Sequence, residues 1–115
     1  MKKVLIAGAT GAMGQKAVDL VNSLAGFEIT AALAPTLTKK NMTNFHLASS
    51  VQPYQTLDEI EDGVADIWID FTLPSAVYQN VKFALEHGMR PIVGTTGLAD
   101  EQQTDLVRLS EEKHV

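Results

Sequence analysis

The sequence predicts an α/β domain built on a doubly wound parallel sheet. Short runs of contiguous apolar residues, typical of strands covered on both faces, alternate with stretches whose apolar residues recur every three or four positions. The first apolar run, residues 4–7, leads into a turn with glycines at positions 8, 11 and 14. A strand, a glycine turn and a helix form the usual opening of this fold. We therefore treat residues 1–115 as one domain.

Composition and charge narrow the possible functions. Hydrophobic residues make up 45% of the chain and charged residues 20%, which is typical of globular proteins. The net charge of −5 argues against nucleic acid or an anionic membrane surface as a partner. No apolar run approaches the ~20 residues of a membrane span. The sequence has no cysteine, so we expect a cytoplasmic protein.

The glycine turn carries the first functional signal. Gly8, Gly11 and Gly14 leave room for a sharp turn, for a pyrophosphate close to the backbone, and for a helix packed tightly on a strand. The helix that follows would present unpaired N–H groups to an anion. The turn therefore favours dinucleotide binding over a purely structural role. An ATPase phosphate loop is excluded, because Met13-Gly14 stands where that motif requires Gly-Lys.

The first third of the sequence predicts a strand–helix–strand unit with a right-handed crossover. Gly26 is expected to end the helix, and residues 27–33 to form the second strand. The core-facing side of the helix is predicted at positions with helical spacing: Met13, Ala17, Leu20, Val21 and Leu24.

The middle of the sequence is the least regular part. A short third strand is predicted near residues 48–51. Thr56 and Glu59 have the spacing of a capping box and predict a short helix that ends at Gly63. His46 has no neighbouring metal-ligand spacing, so no metal site is predicted.

The second half continues the alternation. Residues 65–72 predict a fourth strand, Pro74 begins a helix that reaches about residue 87, and residues 91–94 predict a fifth strand. Asp100 is expected to open a last helix, and the sequence ends about where a sixth strand should begin. The core face of the second long helix is predicted at Val77, Val81, Ala84 and Leu85.

The end of the second strand bears on the choice of cofactor. A dinucleotide fold that prefers NAD usually has an acidic residue here, which binds the ribose 2′-hydroxyl. This sequence has Ala34, so no carboxylate would repel a 2′-phosphate. Thr36, Lys39 and Lys40 follow and offer hydrogen bonds and positive charge. Two interpretations of this loop fit the sequence. In the first, the loop favours NADPH as the cofactor, with NADH possible. In the second, it is a solvated polar loop with no part in cofactor choice.

Several short segments of the sequence form a combined pattern. They are Gly-Ala-Thr-Gly-Ala-Met-Gly at residues 8–14, Asp-Phe-Thr at 70–72 with Pro74, Asn80, and Gly-Thr-Thr-Gly at 94–97. Together these segments resemble the dihydrodipicolinate reductase family. The resemblance covers nearly the whole chain, but only the N-terminal domain of that enzyme. It implies a Rossmann-like NAD(P)-binding domain, truncated before its last strand and its second domain. It also implies an oxidoreductase of lysine and diaminopimelate biosynthesis that reduces 4-hydroxy-tetrahydrodipicolinate to tetrahydrodipicolinate.

The resemblance also assigns site residues by position. Phe71 and Thr72 would lie along the nicotinamide side. The family commonly has arginine where this sequence has Ala12, and its best-known dual-cofactor member has an acidic residue where this sequence has Ala34. Both departures leave the cofactor preference open. The turn residues that would hold the pyrophosphate are Gly8, Ala9, Thr10, Gly11, Ala12 and Met13; those that would contact the nicotinamide ribose and ring are Gly94, Thr95 and Thr96.

The family's catalytic His-His pair and lysine belong to a second domain, which would lie beyond Val115. The resemblance therefore implies no catalytic residue in this chain, and cofactor binding without turnover. It implies a homotetramer for the full-length protein, with contacts from the second domain. Asp70, at a strand end, is expected to orient its turn and not to react.

Two other functions remain open. Short-chain reductases and nucleotide-sugar epimerases also begin with a strand followed by Gly-Ala-Thr-Gly, and they require a Tyr-x-x-x-Lys pair. Tyr78 and Lys82 match that spacing, although they come too early for the catalytic helix of those enzymes. The third possibility is a non-catalytic NADP(H) sensor, which the sequence of one domain does not distinguish from a reductase.

Overall fold

The computed structural model of the chain describes residues 2–94, which form a five-stranded sheet flanked by helices. All neighbouring strands are parallel, in the order β3-β2-β1-β4-β5, which confirms the predicted doubly wound fold. The strands are β1 (Lys2–Ala7), β2 (Phe27–Leu33), β3 (Gln52–Tyr54), β4 (Ile67–Asp70) and β5 (Arg90–Val93). The α-helices of this part are α1 (Ala12–Ser23) and α2 (Pro74–Glu86), and 3₁₀ turns span Met42–Phe45 and Leu57–Glu59. The helix predicted from Asp100 lies outside the described residues.

The central strand is β1, which pairs with β2 on one side and β4 on the other. Its apolar residues, Val4 to Ala7, are all buried, as a strand covered on both faces requires. The chain runs outward from β1 to β3 and then returns to place β4 on the other side of β1. Strand order therefore reverses beside β1, and ligands of doubly wound sheets bind at such a point.

The structure corrects the predicted core face of α1. Met13, Leu20 and Leu24 are exposed, and the buried face is centred on Gly14. The reason is a close helix–turn contact, since a Cβ on Gly14 would lie 1.9 Å from the carbonyl oxygen of Gly8. Gly14 therefore faces inward, and the exposed residues line an apolar groove of about 440 Å³ beside the helix. The buried residues of α1 are Gly14, Ala17, Val18 and Val21.

The predicted position of the third strand was wrong by a few residues. Residues 48–51 form a turn, and β3 follows at Gln52–Tyr54. Pro53 lies within β3 and has no N–H to donate, which usually argues against a strand. It is tolerated because β3 is an edge strand that pairs with β2 alone.

The predicted short helix is a single 3₁₀ turn, Leu57–Glu59, but its capping box is confirmed. The Glu59 carboxylate accepts the backbone N–H of Thr56 at 3.0 Å and that of Gln55 at 2.8 Å. Gly63 follows with a positive φ of 78°.

The second half matches its prediction more closely. β4 is shorter than predicted, β5 begins one residue earlier, and α2 covers the predicted span. Neither α1 nor α2 has the length and apolar character that a membrane crossing requires. Within residues 2–94, no three metal-ligating side chains come together. The four predicted core positions of α2 are buried: Val77, Val81, Ala84 and Leu85.

Candidate cofactor-binding site

A cavity of about 620 Å³ opens at the carboxyl ends of β1, β2 and β4. This volume is within the range of small-molecule sites, and its position is the predicted one, where strand order reverses. The sequence did not predict that the residues after β3 line this cavity, because no local pattern relates them to the glycine turn. The predicted residues that line the cavity are Gly8, Thr10, Gly11, Ala34, Phe71 and Thr72. Lining residues that were not predicted include Gln55, Thr56, Asp58, Ala76, Gln79 and Asn80.

The β1–α1 turn is shaped by backbone contacts. Gly8 has a φ of +81°, and its N–H donates to the Leu33 carbonyl at 2.8 Å. A Cβ on Gly8 would lie 2.7 Å from the Phe71 carbonyl oxygen, so glycine is required both for its conformation and for its neighbour. The turn therefore touches both adjacent strands through backbone atoms.

The N-terminus of α1 is not capped by a side chain. Gly11 is the N-cap, and the first turn contains no acidic residue. The first N–H groups of the helix thus remain available to an anion, and the helix dipole favours negative charge at this end. Gly8, Thr10 and Gly11 line the adjacent cavity, which leaves this end of the helix open to an anion. Pyrophosphate binding at the turn stays a prediction.

The end of β2 forms the opposite wall. Ala34 is buried and lines the cavity, and its N–H donates to the Tyr54 carbonyl at 3.0 Å. Burial raises the pKa of the Tyr54 phenol above its ordinary value. The next loop is held by Asn41, whose side chain accepts the Thr38 N–H at 2.8 Å and donates to the Thr36 carbonyl at 2.8 Å. The loop that would read a 2′-phosphate is therefore locally ordered.

The β4–α2 turn is shaped by side chains. Asp70 is fully buried, and its carboxylate accepts three hydrogen bonds. The Trp68 indole N–H donates to it at 3.0 Å, the Thr72 N–H at 2.9 Å and the Thr72 hydroxyl at 2.5 Å. Asn80 on α2 then donates to the Thr72 hydroxyl oxygen at 3.1 Å. The predicted orienting role of Asp70 is confirmed by these bonds.

Gly94 lies where β5 ends, against this turn. Its N–H donates to the Asp70 carbonyl at 2.9 Å. A Cβ on Gly94 would lie 2.0 Å from the Phe71 ring, so a larger residue would displace that ring. The structure thus brings Gly94 to Phe71, as the resemblance implied. Thr95 and Thr96 lie outside the described residues.

Some predicted residues do not line the cavity. Ala9 is buried, Lys39 is exposed, and Ala12 and Met13 are exposed on the first turn of α1. Contacts of their backbone groups or side chains with a cofactor stay predictions. Within the described part of the chain, the one charged residue among the lining side chains is Asp58.

The Tyr-x-x-x-Lys spacing is not at the cavity. Tyr78 packs against the cluster of Val77, Val81 and Leu85, and neither Tyr78 nor Lys82 is among the lining residues. This placement argues against the short-chain reductase alternative, which needs that pair beside the nicotinamide.

Residues 2–115 match the family described as dihydrodipicolinate reductase, N-terminus. The chain belongs to this family. It is 55% identical over 114 residues to a 4-hydroxy-tetrahydrodipicolinate reductase of Lactobacillus helveticus, which covers 99% of this chain and 43% of that protein. The chain therefore spans less than half the length of this curated relative.

Solved structures show the same fold. A dipicolinate-bound dihydrodipicolinate reductase from Paenisporosarcina sp. TG-14 superimposes with a TM-score of 0.86 at 29% identity, over 100% of this chain and 45% of that one. An oxidoreductase from Agrobacterium radiobacter, solved with NAD+, L-tartaric acid and magnesium, gives a TM-score of 0.83 at 16% identity over 99% of this chain and 33% of that one. The second likeness shows the Rossmann-like fold alone.

Proposed function

We propose that this chain is the NAD(P)H-binding part of a 4-hydroxy-tetrahydrodipicolinate reductase of lysine and diaminopimelate biosynthesis. The enzyme would reduce 4-hydroxy-tetrahydrodipicolinate to tetrahydrodipicolinate. The observation that carries the proposal is the cavity between the uncapped N-terminus of α1 and the Asp70 turn, in a chain that belongs to this family.

The cavity fits an extended dinucleotide. In this fold the end of β2 takes the adenosine ribose and the helix N-terminus takes the pyrophosphate. Ala34 therefore marks the adenosine half, Gly11 the pyrophosphate, and the wall of Phe71 and Thr72 the nicotinamide half. The bound cofactor would supply a hydride, and the work of these residues is to bind and orient it.

The chain by itself is expected to bind cofactor without turnover. Among residues 2–94, no histidine or lysine lines the cavity, so the described walls hold no evident proton donor for the reduction. We attribute the substrate-binding and catalytic groups to the remainder of a longer protein, which would be a cytoplasmic homotetramer.

We propose NADPH as the preferred cofactor, with NADH also accepted. Ala34 supplies no carboxylate against a 2′-phosphate, and Lys39 and Lys40 are exposed on the loop that follows it. Asp58, which also lines the cavity, acts in the opposite direction, because a carboxylate repels phosphate. The preference is therefore expected to be moderate.

Parallel fluorescence titrations with NADPH and NADH test both proposals. Lys39→Gln should weaken NADPH binding by about threefold to tenfold and leave NADH binding unchanged, because one exposed charge contact is lost. Lys2→Gln is the matched control, since Lys2 is exposed at the start of β1, the end of the strand away from the cavity. Equal binding of both cofactors, unaffected by Lys39→Gln, would remove the 2′-phosphate proposal. A folded chain that binds neither would contradict cofactor binding by this chain.

A further inference from the structure

Asp70 is an unusual residue for its position. It lies on β4 between Ala7 of β1 and Val93 of β5, and it is fully buried. Removing a carboxylate from water is costly unless the protein replaces the lost hydration. Within residues 2–94 the other buried polar side chain is Asn80, and Thr72 joins the two.

The carboxylate is compensated by hydrogen bonds from residues close to it in the sequence. Its donors, Trp68 and Thr72, lie two residues before and two residues after it, on the same face of the extended chain. The ion pairs of the described residues do not include Asp70. Replacing a whole buried polar network of this kind with apolar side chains of similar shape usually costs little stability.

The bonds determine the conformation of Thr72. Asp70 accepts both its N–H and its hydroxyl proton, so the residue is held at two atoms. Asn80 holds the hydroxyl oxygen from the side of α2. Thr72, Asn80 and Phe71 line the same wall of the cavity. The network thus connects a buried carboxylate to the surface that a ligand would meet.

We propose that Asp70 is a positioning residue for the nicotinamide half of the cofactor, acting through Thr72 with Asn80 as the second support. This inference rests on the proposed function, which places the nicotinamide at that wall. The adenosine half is held by different contacts, since Ala34 is fixed by Tyr54 and the next loop by Asn41. Loss of the network should therefore affect one half of the ligand and spare the other.

Two ligands distinguish the halves: NADH, and ADP-ribose, which lacks the nicotinamide ring. Thr72→Val removes the hydroxyl at nearly constant volume, and Thr72→Ser retains it. Asp70→Asn is the second test, because its amide nitrogen would oppose the Trp68 indole N–H or the Thr72 donors. The matched control is Thr30→Val, since the Thr30 hydroxyl also makes a 2.6 Å bond, to the Val64 carbonyl, but does not line the cavity.

Thr72→Val and Asp70→Asn should each weaken NADH binding by about tenfold, the effect of one lost hydrogen bond, and change ADP-ribose binding by less than about twofold. Thr72→Ser should restore NADH binding to within about twofold of the unmodified chain. The emission change of NADH on binding should be reduced in Thr72→Val and restored in Thr72→Ser. Thr30→Val should leave both affinities unchanged.

The outcomes separate the inference from the function on which it rests. If the Thr72 and Asp70 variants lose NADH and ADP-ribose binding equally, the network only supports the fold and the inference is wrong. The inference also fails if Thr72→Val binds NADH normally. If the unmodified, folded chain binds neither ligand, the proposed function fails first. Thermal unfolding identifies any variant that does not fold. In the variants that fold, the ratio of the NADH affinity to the ADP-ribose affinity decides whether the inference holds.

Discussion

The two turns that meet beside the cavity are built on opposite principles. The β1–α1 turn owes its shape to missing side chains, because a Cβ on Gly8 or Gly14 would collide with backbone atoms. The β4–α2 turn owes its shape to a buried side-chain network centred on Asp70. The first should tolerate almost no added atom. The second should respond in proportion to each hydrogen bond removed.

Gly14→Ala should have the largest effect of the substitutions considered. Its Cβ would lie 1.9 Å from the Gly8 carbonyl oxygen, so α1 must move away from the turn. We expect a loss of about 3 kcal/mol in the free energy of unfolding and no detectable NADPH binding. Asn22→Ala, at an exposed position of the same helix, should change stability by less than about 0.5 kcal/mol. Chemical denaturation measures the stability of both variants. Wild-type stability of Gly14→Ala would contradict the close packing of Gly14 against Gly8.

Gly8→Ala tests the contact between the two turns. Alanine would carry both the strain of a φ of +81° and a Cβ 2.7 Å from the Phe71 carbonyl oxygen. Together these should destabilise the fold by about 2 to 3 kcal/mol. Gly88→Ala is a matched control, because Gly88 has a φ of +75° and no atom near its absent Cβ. If thermal denaturation shows equal losses for both, the Phe71 contact contributes nothing.

Trp68→Phe examines the second turn by removing the indole N–H together with part of a fully buried ring. The buried Asp70 carboxylate would lose one of its three donors, at a cost of about 2 kcal/mol. Phe83→Leu serves as the comparison, since Phe83 contacts the Trp68 ring, with 5.8 Å between ring centroids, without bonding to Asp70. Urea denaturation followed by circular dichroism measures the stability of both variants. A fluorescence titration should show that Trp68→Phe weakens NADH binding and that Phe83→Leu does not. Identical binding by the two variants would show that the indole N–H has no influence on the site.

Glu59→Ala should have the smallest effect. Glu59 caps a 3₁₀ turn at the adenosine wall, but its bonds to Gln55 and Thr56 are exposed to solvent. A cap of this kind contributes about 1 kcal/mol. Glu86→Ala, on the exposed side of α2, is the control for loss of one charge. If Glu59→Ala lowers the free energy of unfolding as much as Trp68→Phe does, the exposed bonds of Glu59 stabilise the protein as strongly as the buried bonds of Asp70.

The parts of the fold that were predicted well are those with a local signal. β1, the glycine turn and α2 each follow from the spacing of neighbouring residues. β3 was misplaced because Pro53 is acceptable only at a sheet edge, and the edge is defined by distant strands. The face of α1 was misjudged because Gly14 has no side chain to count as apolar, although it makes the closest contact.

The candidate site shows the same division. Gly8, Ala34 and Thr72 were found from motifs, whereas Asp58 and Gln55 were missed because they reach the cavity only after β3 pairs with β2. One signal was available for the Asp70 network. Trp68, Asp70 and Thr72 alternate with apolar residues, so their side chains share one face of the strand.

The central position of β1 has a consequence for how the protein is synthesised. Val4 of β1 pairs with Ile67 of β4, a strand made 63 residues later. At ordinary rates of translation, one edge of this buried apolar strand lacks its partner for roughly 3 to 13 seconds. The glycine turn can form as soon as β2 arrives, but the nicotinamide wall must wait for Asn80. Under the proposed function, a nascent chain would therefore bind a pyrophosphate before it could orient the nicotinamide ring.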